Sequence, residues 1–249
     1  MAKHLPVRLN KEPLIDATFE VRFTCKVPAS VVIPGLLFNS LDGNKVIESL
    51  PLSQLPKPVR DADPGLKYAP LSRIDWGQFF VNCGDNSLSV NCKYPYAGWG
   101  KFKPAIITVI TALKNSNIIE LVERISMKYV DIISSTDGQQ KVSMINCQVS
   151  IAGHTLVKEP YQLRIEIPRD DFTHAVQVVS SATALLHTGE KKDGLIVDVD
   201  TFSEQNGGTV NTLIENFPDK LEAMHSANKA MFFECITETT LQSLEPVYE

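Results

Sequence analysis

The 249-residue chain has no stretch approaching the roughly 18 apolar residues that a spanning helix requires. Its start, Met1 to Asn10, carries Lys3, His4 and Arg8 but no apolar run of the kind found in a signal peptide. Both absences predict a cytoplasmic protein with no membrane association. Cysteine pairs are also missing: Cys25, Cys83, Cys92, Cys147 and Cys235 form an odd, scattered set without CxxC, which suits reduced thiols better than an extracellular disulfide framework. Basic charge is in deficit, with 24 Lys and Arg against 29 Asp and Glu and a net charge of -5. General nucleic-acid binding is therefore disfavoured, although a local basic patch is compatible with this balance.

Catalytic and nucleotide signatures are equally scarce. GxGxxG, GxxxxGK[ST] and GxSxG are all absent. His4, His154, His174, His187 and His225 have no His, Cys or acidic neighbour at an established zinc spacing. Nothing in the sequence calls for a cofactor. What remains is ordinary globular composition, 43% apolar and 21% charged, in a chain long enough to bury a sizeable core without staples.

Alternation gives the clearest element. Ile15, Ala17, Phe19, Val21 and Phe23 interleave with Asp16, Thr18, Glu20, Arg22 and Thr24, the period of a strand with one buried face. Ser30–Leu41 reads as a short or irregular helix with Ser30 as N-cap, because Pro34 and Gly35 interrupt it. Pro51, Pro56, Pro58, Pro64 and Pro70 mark residues 51–70 as a long surface connection. Ile74–Cys83 and Leu88–Lys93 read as two strands around the turn Gly84-Asp85-Asn86-Ser87, across which Cys83 and Cys92 face each other or lie buried as small hydrophobes. Phe102, Ile106, Val109, Ile110 and Leu113 predict a helix over Lys101–Lys114.

A long strand follows over Ile118–Ile133, and the polar run Ser134–Gln140 is the candidate boundary between an N-terminal α+β lobe (1–135) and a C-terminal meander with a helical pair (136–249). Ile145–Ile151, Tyr161–Ile167, Thr173–Leu186 and Gly194–Asp200 read as successive strands. Thr209–Leu244 reads as helix, kinked or restarted at Pro218. The order predicts an α+β fold of largely antiparallel sheets with helices packed on one side, in two linked lobes.

Few residues suggest chemistry. The loop Lys93–Lys101 (KYPYAGWGK) carries Tyr94, Tyr96 and Trp99, which either present a recognition surface or anchor the following helix. Gly98-Trp99-Gly100 could offer amides to an anion, though a flexible helix entry is the simpler use. Arg169–His174 brings two carboxylates near an imidazole and reads as a charged turn. Asp198 and Asp200, two apart on a strand, project to one face where Glu166 would complete a cluster able to hold Mg²⁺. The alternative, which we favour, pairs these acids with Arg22, Arg124, Lys128 and Arg164 across strands.

The opening Leu5–Phe23, with its Pro13-Leu14-Ile15-Asp16-Ala17-Thr18-Phe19-Glu20-Val21-Arg22-Phe23, resembles the N-terminal signature of a sporadically distributed, uncharacterised prokaryotic protein family of similar length. Arg124-Ile125-Ser126-Met127-Lys128-Tyr129-Val130-Asp131 is similar to that family's central Arg-x-x-x-Arg-Tyr-Ile-Asn strand, with Lys128, Val130 and Asp131 as departures. Gly194–Phe202 is similar to its late strand ending in Asp-x-Asp, followed by a helix with Phe232-Phe233 and Ile236. The resemblance implies no activity; it implies a partner in an antiviral defence or toxin-related system.

The leading expectation is a non-enzymatic binding or regulatory subunit that engages another protein or itself, with Tyr94, Tyr96 and Trp99 as anchors and Arg124 and Lys128 as charge partners for an acidic ligand. The competing expectation is a metal-dependent phosphodiesterase or nuclease built on Asp198, Asp200 and Glu166. A third is a small-ligand sensor.

Overall fold

The computed structural model describes residues 5–134 and 141–248. Its first half contains β1 (Arg8–Leu9), β2 (Leu14–Cys25), α1 (Ala29–Ser40), β3 (Lys45–Ser49), α2 (Lys57–Ala62), β4 (Pro70–Trp76), β5 (Phe79–Gly84), β6 (Ser87–Cys92) and α3 (Trp99–Asn115). Then come β7 (Ile119–Ile133), β8 (Ser150–Ile151), β9 (His154–Thr155), β10 (Gln162–Arg169), β11 (Phe172–Leu185) and β12 (Lys191–Gly208). The chain closes with α4 (Val210–Glu215), α5 (Phe217–Cys235), α6 (Glu238–Ser243) and β13 (Pro246–Val247). The fold is α+β, with largely antiparallel sheet and packed helices.

Contacts group the chain into two compact units, each assembled from separate stretches. Unit 1 takes Met1–Asp16, Lys128–Thr201 and Met224–Glu249; unit 2 takes Ala17–Met127 and Phe202–Ala223. From residue 135 onward, the 134–140 run read as a single boundary lies outside the described residues.

In unit 2 the strand order is β7, β2, β6, β5, β4, β3. Alternation on each strand produces a ladder: Ile74 pairs with Val81, Val81 with Val90, and Val90 with Phe19, all of them buried. Helices α1 and α3 pack on these strands and on each other, and α3 buries Phe102, Ile106, Val109, Ile110 and Leu113 at the expected three- and four-residue steps. Each such side chain contributes about 1.5–3 kcal/mol relative to exposure. The adjacent register, Arg73–Asn82–Ser89–Glu20, is polar, and Arg73 Nε donates to Asn82 Oδ1 at 2.9 Å.

In unit 1 the order is β10, β11, β12, β7. Val176, Val178, Leu195, Val197 and Val199 meet Met231, Phe232, Phe233 and Ile236 of α5 and its exit in one buried cluster. Gly194 is required by close approach, since a Cβ there would run into the Ile133 carbonyl oxygen. Inside this core Asn228 Nδ2 donates to the Val199 carbonyl at 2.8 Å, and His174 Nδ1 bonds Thr201 Oγ1 at 2.8 Å.

Several elements differ from the sequence reading. The segment read as a short or irregular helix forms the full helix Ala29–Ser40 despite Pro34; Pro28 is its N-cap, and Ser30 instead donates to the Asp85 carboxylate. Residues 51–70 contain α2 and two 3-10 turns, Pro51–Gln54 and Pro64–Leu66, all with proline in the first turn, where its missing N–H removes no helical bond. Ile74–Cys83 is split between β4 and β5 by a turn at Gly77, whose φ is 55°. Cys83 lies opposite Leu88 and Cys92 opposite Phe79, so the two thiols are buried but do not face each other. Ile145–Ile151 is mostly irregular, ending in the two-residue β8. Pro218 is the second residue of α5, a restart after α4. Among the described residues no helix is long and apolar enough to cross a membrane.

Candidate functional site

Within unit 2, Arg22 of β2, Tyr68, Glu123 and Arg124 of β7, and Glu204 and Gly207 of β12 line a cavity of about 390 Å³. The strand positions follow from the alternation that leaves Arg22 and Arg124 off the buried faces. Tyr68 arrives on the segment before β4, which is pinned where Ser87 Oγ donates to the Tyr68 carbonyl at 2.8 Å. Gly84 makes that approach feasible, because a Cβ there would stand 2.6 Å from the Ala69 carbonyl oxygen.

Both guanidiniums lie on aromatic faces. The Arg22 carbon is 4.5 Å from the Tyr68 ring centroid, and the Arg124 carbon is 3.5 Å from that of Phe202. Such stacking fixes the plane of the guanidinium, the side chain whose planar fork suits carboxylate or phosphate. Arg22 Nε also donates to Glu20 Oε1 at 2.5 Å. Glu123 accepts from the Tyr68 hydroxyl at 2.6 Å and from Lys67 Nζ at 3.1 Å. Burial pushes the Glu123 carboxyl up, but Tyr68, Lys67 and Arg22 outweigh it and hold the group below its usual range. Burial and the Glu123 carboxylate push the Tyr68 phenol up. The cavity thus has charged walls with fixed orientation. It contains no nucleophile paired with a base.

The other sequence candidates lie elsewhere. Trp99 opens α3, where its indole N–H donates to the Glu222 carboxylate at 3.1 Å and its ring meets Phe102 edge-on at 6.3 Å. Tyr96 meets the same Phe102 ring edge-on at 6.1 Å, and Tyr94, Tyr96 and Trp99 are all half-buried. Two of the three aromatic rings therefore pack on Phe102 of α3.

Lys128 belongs to unit 1, where Nζ stands 2.9 Å from Asp198 Oδ2. Burial lowers its ammonium pKa, but Asp198, Asp200 and Asp16 outweigh that and raise it. Glu166 is engaged by Arg164 at 2.9 Å. Among the described residues no group of three or more His, Cys, Asp or Glu side chains is placed to hold a metal ion. The Arg169–His174 segment forms the β10–β11 hairpin turn, with Arg169 paired to Glu234 at 2.8 Å and His174 turned into the core.

Of the cavity residues, sequence reasoning singled out Arg124 and read Arg22 as a structural charge; Tyr68, Glu123 and Glu204 escaped it, as did the role of Phe202 beneath Arg124. Tyr68 sits in the proline-rich run, 55 residues from its partner Glu123, and nothing local signals that meeting. The acid–base neighbours Glu123 and Arg124 on one strand were the available hint.

Compared with known proteins, the chain matches no family model and no curated sequence.

Proposed function

We infer that the chain is a non-enzymatic binding or regulatory protein whose Arg22–Arg124 cavity accepts an acidic group of a partner protein. The single observation that carries this reading is the pair of guanidiniums stacked on Tyr68 and Phe202 and lining one cavity. Preorganised arginine retains affinity for carboxylate because little side-chain freedom is lost on binding. Glu123 and Glu204 line the same cavity, and Glu123 is already held by the Tyr68 hydroxyl and Lys67, which leaves the two guanidiniums as its positive wall. The antiviral or toxin-related setting of that partner is part of the proposal and rests on the sequence resemblance alone.

A hexaglutamate peptide serves as the probe. Calorimetric titration is expected to give salt-sensitive binding that Arg22→Gln and Arg124→Gln each weaken by about tenfold or more. Tagged wild-type chain, recovered from its host, should retain a protein that the double variant loses. Equal hexaglutamate binding by wild type and the double variant would remove the cavity from the proposal.

A further inference from the structure

The edge strand β10 reads the same against a second copy of itself. Residues Gln162, Arg164, Ile165, Glu166, Pro168 and Arg169 are exposed, and Ile165 keeps 45% of its surface, although it lies opposite buried Val176 of β11. The direction of the backbone groups is fixed by the partner strand. Ser180 N–H donates to the Tyr161 carbonyl at 3.0 Å, and Gln162 stands opposite Val179. Hydrogen-bonded and non-bonded pairs alternate in an antiparallel ladder, so Leu163, Ile165 and Ile167 turn their amides toward β11. Gln162, Arg164 and Glu166 turn theirs away, along the open edge.

We propose that β10 pairs antiparallel with β10 of a second copy of this chain, centred on Ile165. In that register Arg164 lies opposite the second copy's Glu166, and Glu166 opposite its Arg164, so the outward amides and carbonyls of these residues bond reciprocally. The side chains on that face meet as opposite charges. On the other face Ile165 meets Ile165 in a non-bonded pair, where side chains approach closest, and Leu163 meets Ile167. Pro168, which has no N–H, falls opposite Gln162 and ends the ladder. Within one chain Arg164 Nη2 already holds Glu166 Oε1 at 2.9 Å, and pairing exchanges this contact for its intermolecular equivalents. Charge, amide direction and apolar match all select the same register, and a strand of unrelated sequence would satisfy only the amides.

Sedimentation equilibrium of the full chain across the micromolar range tests this. The wild type is expected to be a reversible dimer. Glu166→Pro deletes one outward N–H without touching the β11 ladder, and Arg164→Glu sets like charges opposite each other; each should raise the dimer Kd by at least about tenfold. Arg164→Glu combined with Glu166→Arg restores the pairing and should restore the dimer. Circular dichroism verifies that each variant is folded; were the proline variant to fail, the charge swap alone decides. A monomeric wild type, a dimer indifferent to both single variants, or a double variant that stays monomeric each overturns the proposal. Hexaglutamate binding, read on the same samples, is independent of the outcome.

Discussion

Two carboxyl groups in each unit respond to burial in opposite ways. In unit 2, Asp85 and Glu123 are partly buried against ready donors: Arg60 and Ser30 for the first, Tyr68 and Lys67 for the second. Burial pushes both up, the donors outweigh it, and both end below their usual values. In unit 1, Asp131 is 5% exposed and faces the charges of Glu12 and Asp198, so burial first and repulsion second drive it well above its ordinary value. Glu12 is raised by burial, against the Leu14 amide and Lys229, and the carbonyl of the next residue, Pro13, accepts from Ile132 N–H at 2.9 Å. Desolvation alone therefore does not set an acid's charge; the balance between burial and the donors and charges around it decides.

The difference gives these buried acids opposite pH responses. Asp85 and Glu123 contribute stability that is fully present above their ordinary values of 3.8 and 4.5 and is lost as pH falls through their lower folded values. Asp131 binds a proton in the folded state that the unfolded chain has released, so its contribution declines as pH rises above its ordinary value of 3.8 toward its raised folded value. The largest break in the comparison is Asp85→Ala. The Arg60–Asp85 pair leaves only 13% of either side chain exposed, and its loss should cost about 3 kcal/mol at pH 7 in urea denaturation, shrinking below pH 4. The backbone bond from Ala29 N–H to the residue 85 carbonyl survives the substitution, which confines the effect to the side chain's bonds with Arg60 and Ser30.

Asp131→Asn should act in the reverse direction. Removing the ionisable group relieves the cost of charging it, so stability at pH 7 should rise by about 1–3 kcal/mol, with little change near pH 4. A loss at pH 7 would mean that the carboxylate is matched by a cation after all, and that unit 1 resembles unit 2.

Much of this framework was legible in the sequence wherever one face is buried and the other is not. β2, β7 and α3 follow directly from their apolar spacing, because the buried ladder Phe19–Val90–Val81–Ile74 needs one residue in two on each strand. Less legible were the elements whose stability comes from elsewhere: the regularity of α1, where Pro34 is tolerated because Ile33 and Leu37 are wholly buried, and β3, whose Lys45–Ser49 is mostly exposed. The Gly77 turn is hidden inside an apolar run. Half of the site was hidden for the same reason. Arg124 stands out on its strand, but Tyr68 and Phe202 acquire a role only through long-range packing against the two arginines.

The smallest effect separates the ring of Tyr68 from its hydroxyl. Tyr68→Phe keeps the face under Arg22 but deletes the donor to Glu123, leaving Lys67 as that carboxylate's remaining hydrogen-bond donor. A half-exposed hydrogen bond of this kind is worth about 0.5–1.5 kcal/mol, and the loss should appear above pH 4.5, where Glu123 is ionised, and fade below it. Carbon-detected titration of the Glu123 carboxyl should show its pKa moving up toward the ordinary value, toward the behaviour of the unit 1 acids. Hexaglutamate affinity should stay within about twofold of wild type, because the stacked ring and not the phenol orients the guanidinium. An unmoved Glu123 titration would assign its charge to Lys67 and Arg22 alone, and a large loss of peptide binding would place the hydroxyl itself among the groups that contact the ligand.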